Sequence, residues 1–177
     1  VDTGDAGAAR IPHSVALQDL LAAIPLYAPV DGPEQGRITA TTTHPGEELP
    51  AKVVVDFAGE AGVEIATRRW DTGTGPDPRH VRGFCVERDF MQRRMNGALD
   101  ARPLPLPEGS AWSQRHIALD GAAQAFTVLS TPDSWVAAAA VPGPFLIRLF
   151  ATAPRPGLTA LRRITSATEL QPLRGRA

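Results

Sequence analysis

The chain has one cysteine, Cys85, in 177 residues. A lone thiol excludes an internal disulfide and any cysteine-cluster metal site. Lysine is just as scarce. Lys52 is the only one, and the other basic residues are arginines, which together with many alanines reads as the coding bias of a high-GC bacterial genome. No stretch reaches the roughly 18–20 consecutive apolar residues that a bilayer-crossing helix needs. Neither sign of charge dominates. Eighteen basic residues against nineteen acidic ones leave a net charge of −1, so no global field exists to hold nucleic acid or an anionic membrane. Arginines gather locally at 68–69, 79–88 and 93–94, but Asp71, Asp77, Glu87 and Asp89 stand among them. Cysteine usage favours the cytoplasm as the expected compartment, with a mature secreted protein as the alternative. Val1 is read as a processed, engineered or internal start.

The composition is 43% hydrophobic and 21% charged, ordinary material for a chain that buries a core without covalent staples. The expected organisation is an arm at 1–13, one β-rich domain at 14–170 and a tail at 171–177. Ser14 is placed to cap a helix. Leu17, Leu20, Leu21 and Ile24 follow at i, i+3, i+4 and i+7, one apolar stripe that Pro25 terminates. From Arg37 the pattern turns to β. Strands are expected at 37–43, 52–57 and 63–70, the last two as a hairpin through Gly59–Gly62. A further strand is expected at 80–88, while 89–96 suits a short helix or a strand equally. Pro103, Pro105 and Pro107 suit an edge or covering segment.

The last third is more legible. Strands at 115–119, 124–130, 135–141 and 145–150 are separated by Asp120-Gly121, Thr131-Pro132-Asp133 and Pro142-Gly143, each with the chemistry of a tight turn. This predicts a four-stranded antiparallel meander in which Arg148 marks the wetter face. Residues 158–170 suit a short helix or a final strand. The expected fold class is mainly β, an antiparallel sandwich or curled sheet with one N-terminal helix packed on it.

The motifs point away from a familiar catalyst. Asp-Thr-Gly occurs at 2–4 and at 71–73, the turn that brings two carboxylates together in aspartic proteases. Here the first copy has no apolar strand before it and the second follows Arg68-Arg69. Gly73-Thr74-Gly75 lacks the residues that complete a phosphate loop or a dinucleotide turn. No Gly-x-Ser-x-Gly elbow is present. His13, His44, His80 and His116 have no close partner in sequence with metal-ligand spacing, so neither metal nor cofactor is expected. Cys85 sits in an apolar stretch that suits a buried thiol.

Aromatic residues beside loops are the better candidates. Trp70 ends a strand next to Asp71 and the Gly/Pro-rich loop, His80 follows that loop, and Trp112 lies after the prolines. Trp70, Asp71, His80 and Trp112 therefore form the candidate binding set; each tryptophan also suits the role of covering an open end of the sheet. The function this favours is a non-enzymatic protein-binding or regulatory accessory domain. Its expected partner is another protein or a second copy of the chain, not nucleic acid or membrane. The rival reading is a small-molecule carrier or hydrolase-like enzyme assembled in three dimensions from residues such as His80, Cys85 and His116.

Overall fold

The computed structural model describes residues 14–32, 35–57, 62–72, 74–84, 105–152 and 157–171. Helix α1 (Ser14–Ala23) is followed by β1 (Tyr27–Pro29), β2 (Gly36–Thr42), β3 (Lys52–Phe57) and β4 (Val63–Arg69). Residues 78–84 form a second helical segment. The meander is β5 (Ala111–Leu119), β6 (Ala122–Ser130), β7 (Trp135–Val141) and β8 (Phe145–Ala151). Strand β9 (Ala160–Arg163), a 3-10 turn (Ala167–Glu169) and β10 (Leu170–Gln171) complete the described elements.

All ten strands belong to one sheet in the order β1-β9-β5-β6-β7-β8-β4-β3-β2-β10. The meander is therefore real, and β8 joins it to the β3–β4 hairpin by antiparallel pairing. Two pairs, β5 with β9 and β2 with β10, are parallel.

Chain length alone requires this sheet to curl. Strands β1 and β2 stand eight positions apart in the strand order, about 38 Å if the sheet were flat. The chain from Pro29 to Gly36 can span at most about 25 Å. The same mismatch holds between Arg163 of β9 and Leu170 of β10. Opposite ends of the sheet are thus drawn together, and the concave side becomes the core.

Helix α1 fills that concavity. Leu17, Leu20, Leu21 and Ile24 are all at most 5% exposed and share one cluster with Ile38, Val55, Ile65, Phe126, Ile147 and Leu161. Each such side chain contributes about 1.5–3 kcal/mol when removed from water. The predicted stripe and its end at Pro25 match the structure; the Ser14 cap lies outside the described side chains. Just beyond the helix the Thr67 hydroxyl of β4 donates to the Pro25 carbonyl at 2.7 Å, deep in the core.

The sheet's two ends are stitched by polar contacts. Gln35 donates from Nε2 to the Thr168 carbonyl, and Gln171 donates to Gln35 Oε1. Gln171, assigned to the tail by composition, pairs with Arg37 instead. The 3-10 turn before it is closed by a capping box, in which Thr168 N–H donates to Ser166 Oγ and Ser166 N–H to Glu169 Oε2. Arg162 is paired with Glu169. Asp120 and Gly121 both have positive φ, +48° and +83°, as a type I′ turn demands. Asp120 Oδ1 accepts from Arg163 N–H at 2.7 Å, pinning the hairpin tip to β9. Burial pushes the nearby Tyr27 phenol above its ordinary value; Arg163 opposes this and Asp120 reinforces it.

The convex face corrects two expectations. Residues 80–84 are helical, not strand; 85–96 lie outside the described residues. Asp77-Pro78 is the cause. Asp77 Oδ1 accepts from His80 N–H at 3.0 Å, and His80 Nδ1 accepts from Asp77 N–H at 3.2 Å. Proline suits the first helical position, so the pair opens a helix where alternation suggested a strand. The second correction concerns Arg148, which is 5% exposed rather than on a wet face. Val81 and Phe84 pack there on Leu129, Val136, Ala138, Leu146 and Phe150, with Trp70 and Leu106 beside them. The central strands are covered on both faces, which is why β7 reads Trp-Val-Ala-Ala-Ala-Ala-Val with no polar alternation. Arg148 is compensated by Glu64 at 3.5 Å.

Two outcomes follow. A Cβ on Gly36 would stand 2.5 Å from Val55 Cγ1 and 2.6 Å from the Phe57 ring. Gly36→Ala should therefore lower unfolding free energy by about 1–3 kcal/mol in urea titration, the usual cost of overpacking. Glu169 supplies a pH dependence. Partial burial raises its carboxyl, but Arg162 and the N–H groups of Thr165 and Ser166 outweigh that and hold it below 4.5. A depressed folded value means the stabilisation is complete above the unfolded value and is lost as pH falls through the folded one. Thermal scans from pH 6 to pH 3 should show this acid limb reduced in Glu169→Gln.

Candidate functional site

Trp70 lies just past β4, where its backbone N–H donates to the Pro144 carbonyl of the β7–β8 turn. Its indole Nε1–H donates to the Thr74 carbonyl at 2.7 Å. The ring meets His80 edge-on with centroids 4.9 Å apart and Phe84 at 6.3 Å. The Arg68 guanidinium stands 5.3 Å from the Phe84 ring centre. Further along, the Thr127 hydroxyl of β6 donates to the Pro76 carbonyl. The segment from Trp70 to Phe84 is thus a strap across the convex face. Trp70 fixes its start and the reciprocal Asp77–His80 cap turns it into helix. The His80 N–H holds the Asp77 carboxyl below its ordinary value; burial opposes it, and the His80 ring and Arg79 add to the lowering.

Of the four candidate residues, Trp70 and His80 are brought into contact. Asp71 is adjacent and exposed. Trp112 lies on a separate element, β5, directly opposite Leu129 of β6 on the convex face, and is 40% exposed. His116 is exposed on the same strand. Cys85 and Gly73 lie outside the described residues, as does the Asp-Thr-Gly at 2–4. Among the described residues, no three of histidine, cysteine, aspartate or glutamate stand close enough to hold a metal ion. No described helix is long and apolar enough to cross a membrane.

Sequence reasoning singled out Trp112 but not the first half of β5 as a strand around it. Strand β9 pairs with β5 only at Ala118 and Leu119. Residues 111–117 are bonded to β6 on one side, and no described strand pairs with them on the other. The Ala118 N–H donates to Thr159 and the Asp120 N–H to Leu161, both of the β9 side. Backbone groups alternate in direction along a strand, so the N–H and C=O of Trp112, Gln114 and His116 face the open side. Side chains from Ala111 to Gln114 are exposed on both faces. The expectation of a strand beginning only at Arg115 concealed this run. The prolines at 105 and 107 masked how soon the chain becomes extended; a turn at Glu108-Gly109, with Gly109 at φ +86°, completes the change of direction.

No known protein family, curated protein or solved structure matches this chain. The site therefore stands on its own geometry.

The strap gives a direct test. Trp70→Phe keeps a ring against His80 and Phe84 but removes the donor to Thr74. It should cost about 1 kcal/mol and speed amide exchange across 74–84 while leaving the meander protected. Unchanged exchange in that segment would show that the indole does not anchor the strap.

Proposed function

We propose that this chain is a non-enzymatic protein-binding domain that takes an extended polypeptide segment onto the open edge of β5. The observation that carries the reading is that no described strand pairs with the side of residues 111–117 away from β6, beside an exposed tryptophan. An added strand gains its affinity from main-chain hydrogen bonds and its selectivity from side chains that alternate along the edge. Trp112, Gln114 and His116 supply that alternation on the convex side. Trp112 offers a large apolar face at low entropic cost, the property that makes tryptophan a frequent anchor at interfaces.

Natural sheets guard such edges with proline, lysine or a covering segment. The run Ala-Trp-Ser-Gln-Arg-His-Ile contains no proline, lysine or acid. Strap and edge divide the candidate residues between two tasks in this reading. Trp70 and His80 hold the convex cover, with Asp71 in the exposed loop beside them, and Trp112 meets the partner.

Gln114→Pro tests the edge with little disturbance to the fold. Its N–H points away from β6, so proline removes an intermolecular donor and no ladder bond within the sheet. Heptapeptides selected from a displayed random library on the unaltered protein should bind this variant about tenfold more weakly, the loss expected for one or two backbone hydrogen bonds. Equal binding by a variant of unchanged unfolding midpoint would reject the edge as the docking site.

A further inference from the structure

We infer that residues 165–171 form a clasp over the seam, one that opens as a unit while the meander stays folded, with Glu169 as its catch.

The clasp joins the two ends of the sheet. It begins after Ile164, whose N–H donates to the Leu26 carbonyl. It ends on β10, where Leu170 and Gln171 pair with Gly36 and Arg37 of β2. Between these points the 3-10 turn rests against α1.

Its polar bonds converge on one side chain. The Glu169 carboxylate accepts from the Thr165 and Ser166 N–H groups at 3.2 Å each and from the Arg162 guanidinium of β9. These donors lie ahead of the turn, and Glu169 sits at its end. One carboxylate therefore folds the turn back on itself and ties it to β9. Pairing with β2 starts at the very next residue, so β10 keeps its register only while the turn is closed. The Gln35 bonds to the Thr168 carbonyl and to Gln171 fall on the same short stretch.

Apolar burial is thin along it. From 165 to 171 the buried side chain is Leu170, while Thr165, Thr168 and Gln171 are exposed and the 3-10 turn has no buried residue. Leu170 seats in the cluster that holds Leu17, Leu20 and Leu21 of α1. The meander differs in kind. Strand β7 buries Trp135 through Ala139 without a break and is bonded to both β6 and β8. Segments that open on their own are those with little buried apolar surface and solvent-exposed hydrogen bonds. Opening at 165–171 releases Leu170 and uncovers the flank of α1 beneath it, and it leaves the ladders from β3 to β8 intact.

The charge that faces the catch is Arg162. Arg163 on β9, Arg37 on β2 and Asp19 on α1 are the other charged side chains on the described elements around it. Partial burial works against the carboxylate, and Arg162 with the two N–H groups outweighs it. The catch is therefore fully closed above the unfolded value of the carboxyl and is released as pH falls through the lower folded one.

Native-state hydrogen exchange of the full chain, read by NMR, tests the clasp. The Ser166, Glu169 and Leu170 amides are all hydrogen-bonded and report on it. In urea well below the unfolding midpoint they should open at lower free energy than the amides of β6 to β8, with a smaller urea dependence. Glu169→Gln should speed their exchange about tenfold or more at neutral pH, the consequence of losing a charge-assisted hydrogen bond, and leave residues 124–150 unchanged. Between pH 6 and pH 3 the clasp protection of the unaltered chain, corrected for intrinsic exchange rates, should fall to that of Glu169→Gln. The unaltered protein decides the matter even if the variant folds poorly. One shared opening free energy and urea slope for clasp and meander would overturn the inference, because the segment would then open only with the whole molecule. Exchange in Glu169→Gln that is unchanged, or raised equally across the meander, would remove Glu169 as the catch.

Discussion

The short reach of two connections governs this molecule. The segments after β1 and after β9 are too short to join distant ends of a flat ten-stranded sheet, so the sheet closes around its own concave face. Everything apolar on that face then becomes one core. Helix α1 has no alternative position, because its stripe is the plug that the curl requires. The seam where the ends meet is polar at its rim, with Gln35, Gln171 and the Ser166–Glu169 box, and apolar beneath, with Leu26, Ile164 and Leu170. Tight turns alone would give a meander; the seam turns the meander into an enclosed body.

Much of this was legible in the residues. The stripe from Leu17 to Ile24, the alternation in β3 and β4, and the Asp120-Gly121 turn are local signals, and each is decided within a few residues. The position of β1, β9 and β10 was not legible. These strands are two to four residues long, too short for periodicity to register, and they are specified by pairing with partners distant in sequence, more than a hundred residues away for β1 with β9 and β2 with β10. Arg148 illustrates a second kind of failure. An arginine in an alternating strand signals solvent, yet here a strap from elsewhere in the chain covers it and Glu64 compensates it. The four consecutive alanines of β7 carried the contrary signal, since a strand with no polar face is one buried on both sides.

The candidate site was half visible. Of the residues singled out from sequence, Trp70 and His80 are in contact and Trp112 lies apart on β5. What the residues could not reveal is that no described strand pairs with the far side of β5 beside Trp112. The described pairing of β9 with β5 covers Ala118 and Leu119 alone, and no property of residues 111–117 encodes that.

The weaving of early and late segments into one seam also bears on how the chain is made. Strand β1 needs β9 beside it, and β2 gains β10 only from the end of the described chain. During synthesis the stripe of α1 must therefore wait, without its final enclosure, until residues 160–171 have emerged. Contacts of such long sequence separation slow folding and prolong the life of sticky intermediates. A nascent chain of this design has reason to depend on chaperone shelter, even though its finished form buries the apolar stripe of the helix.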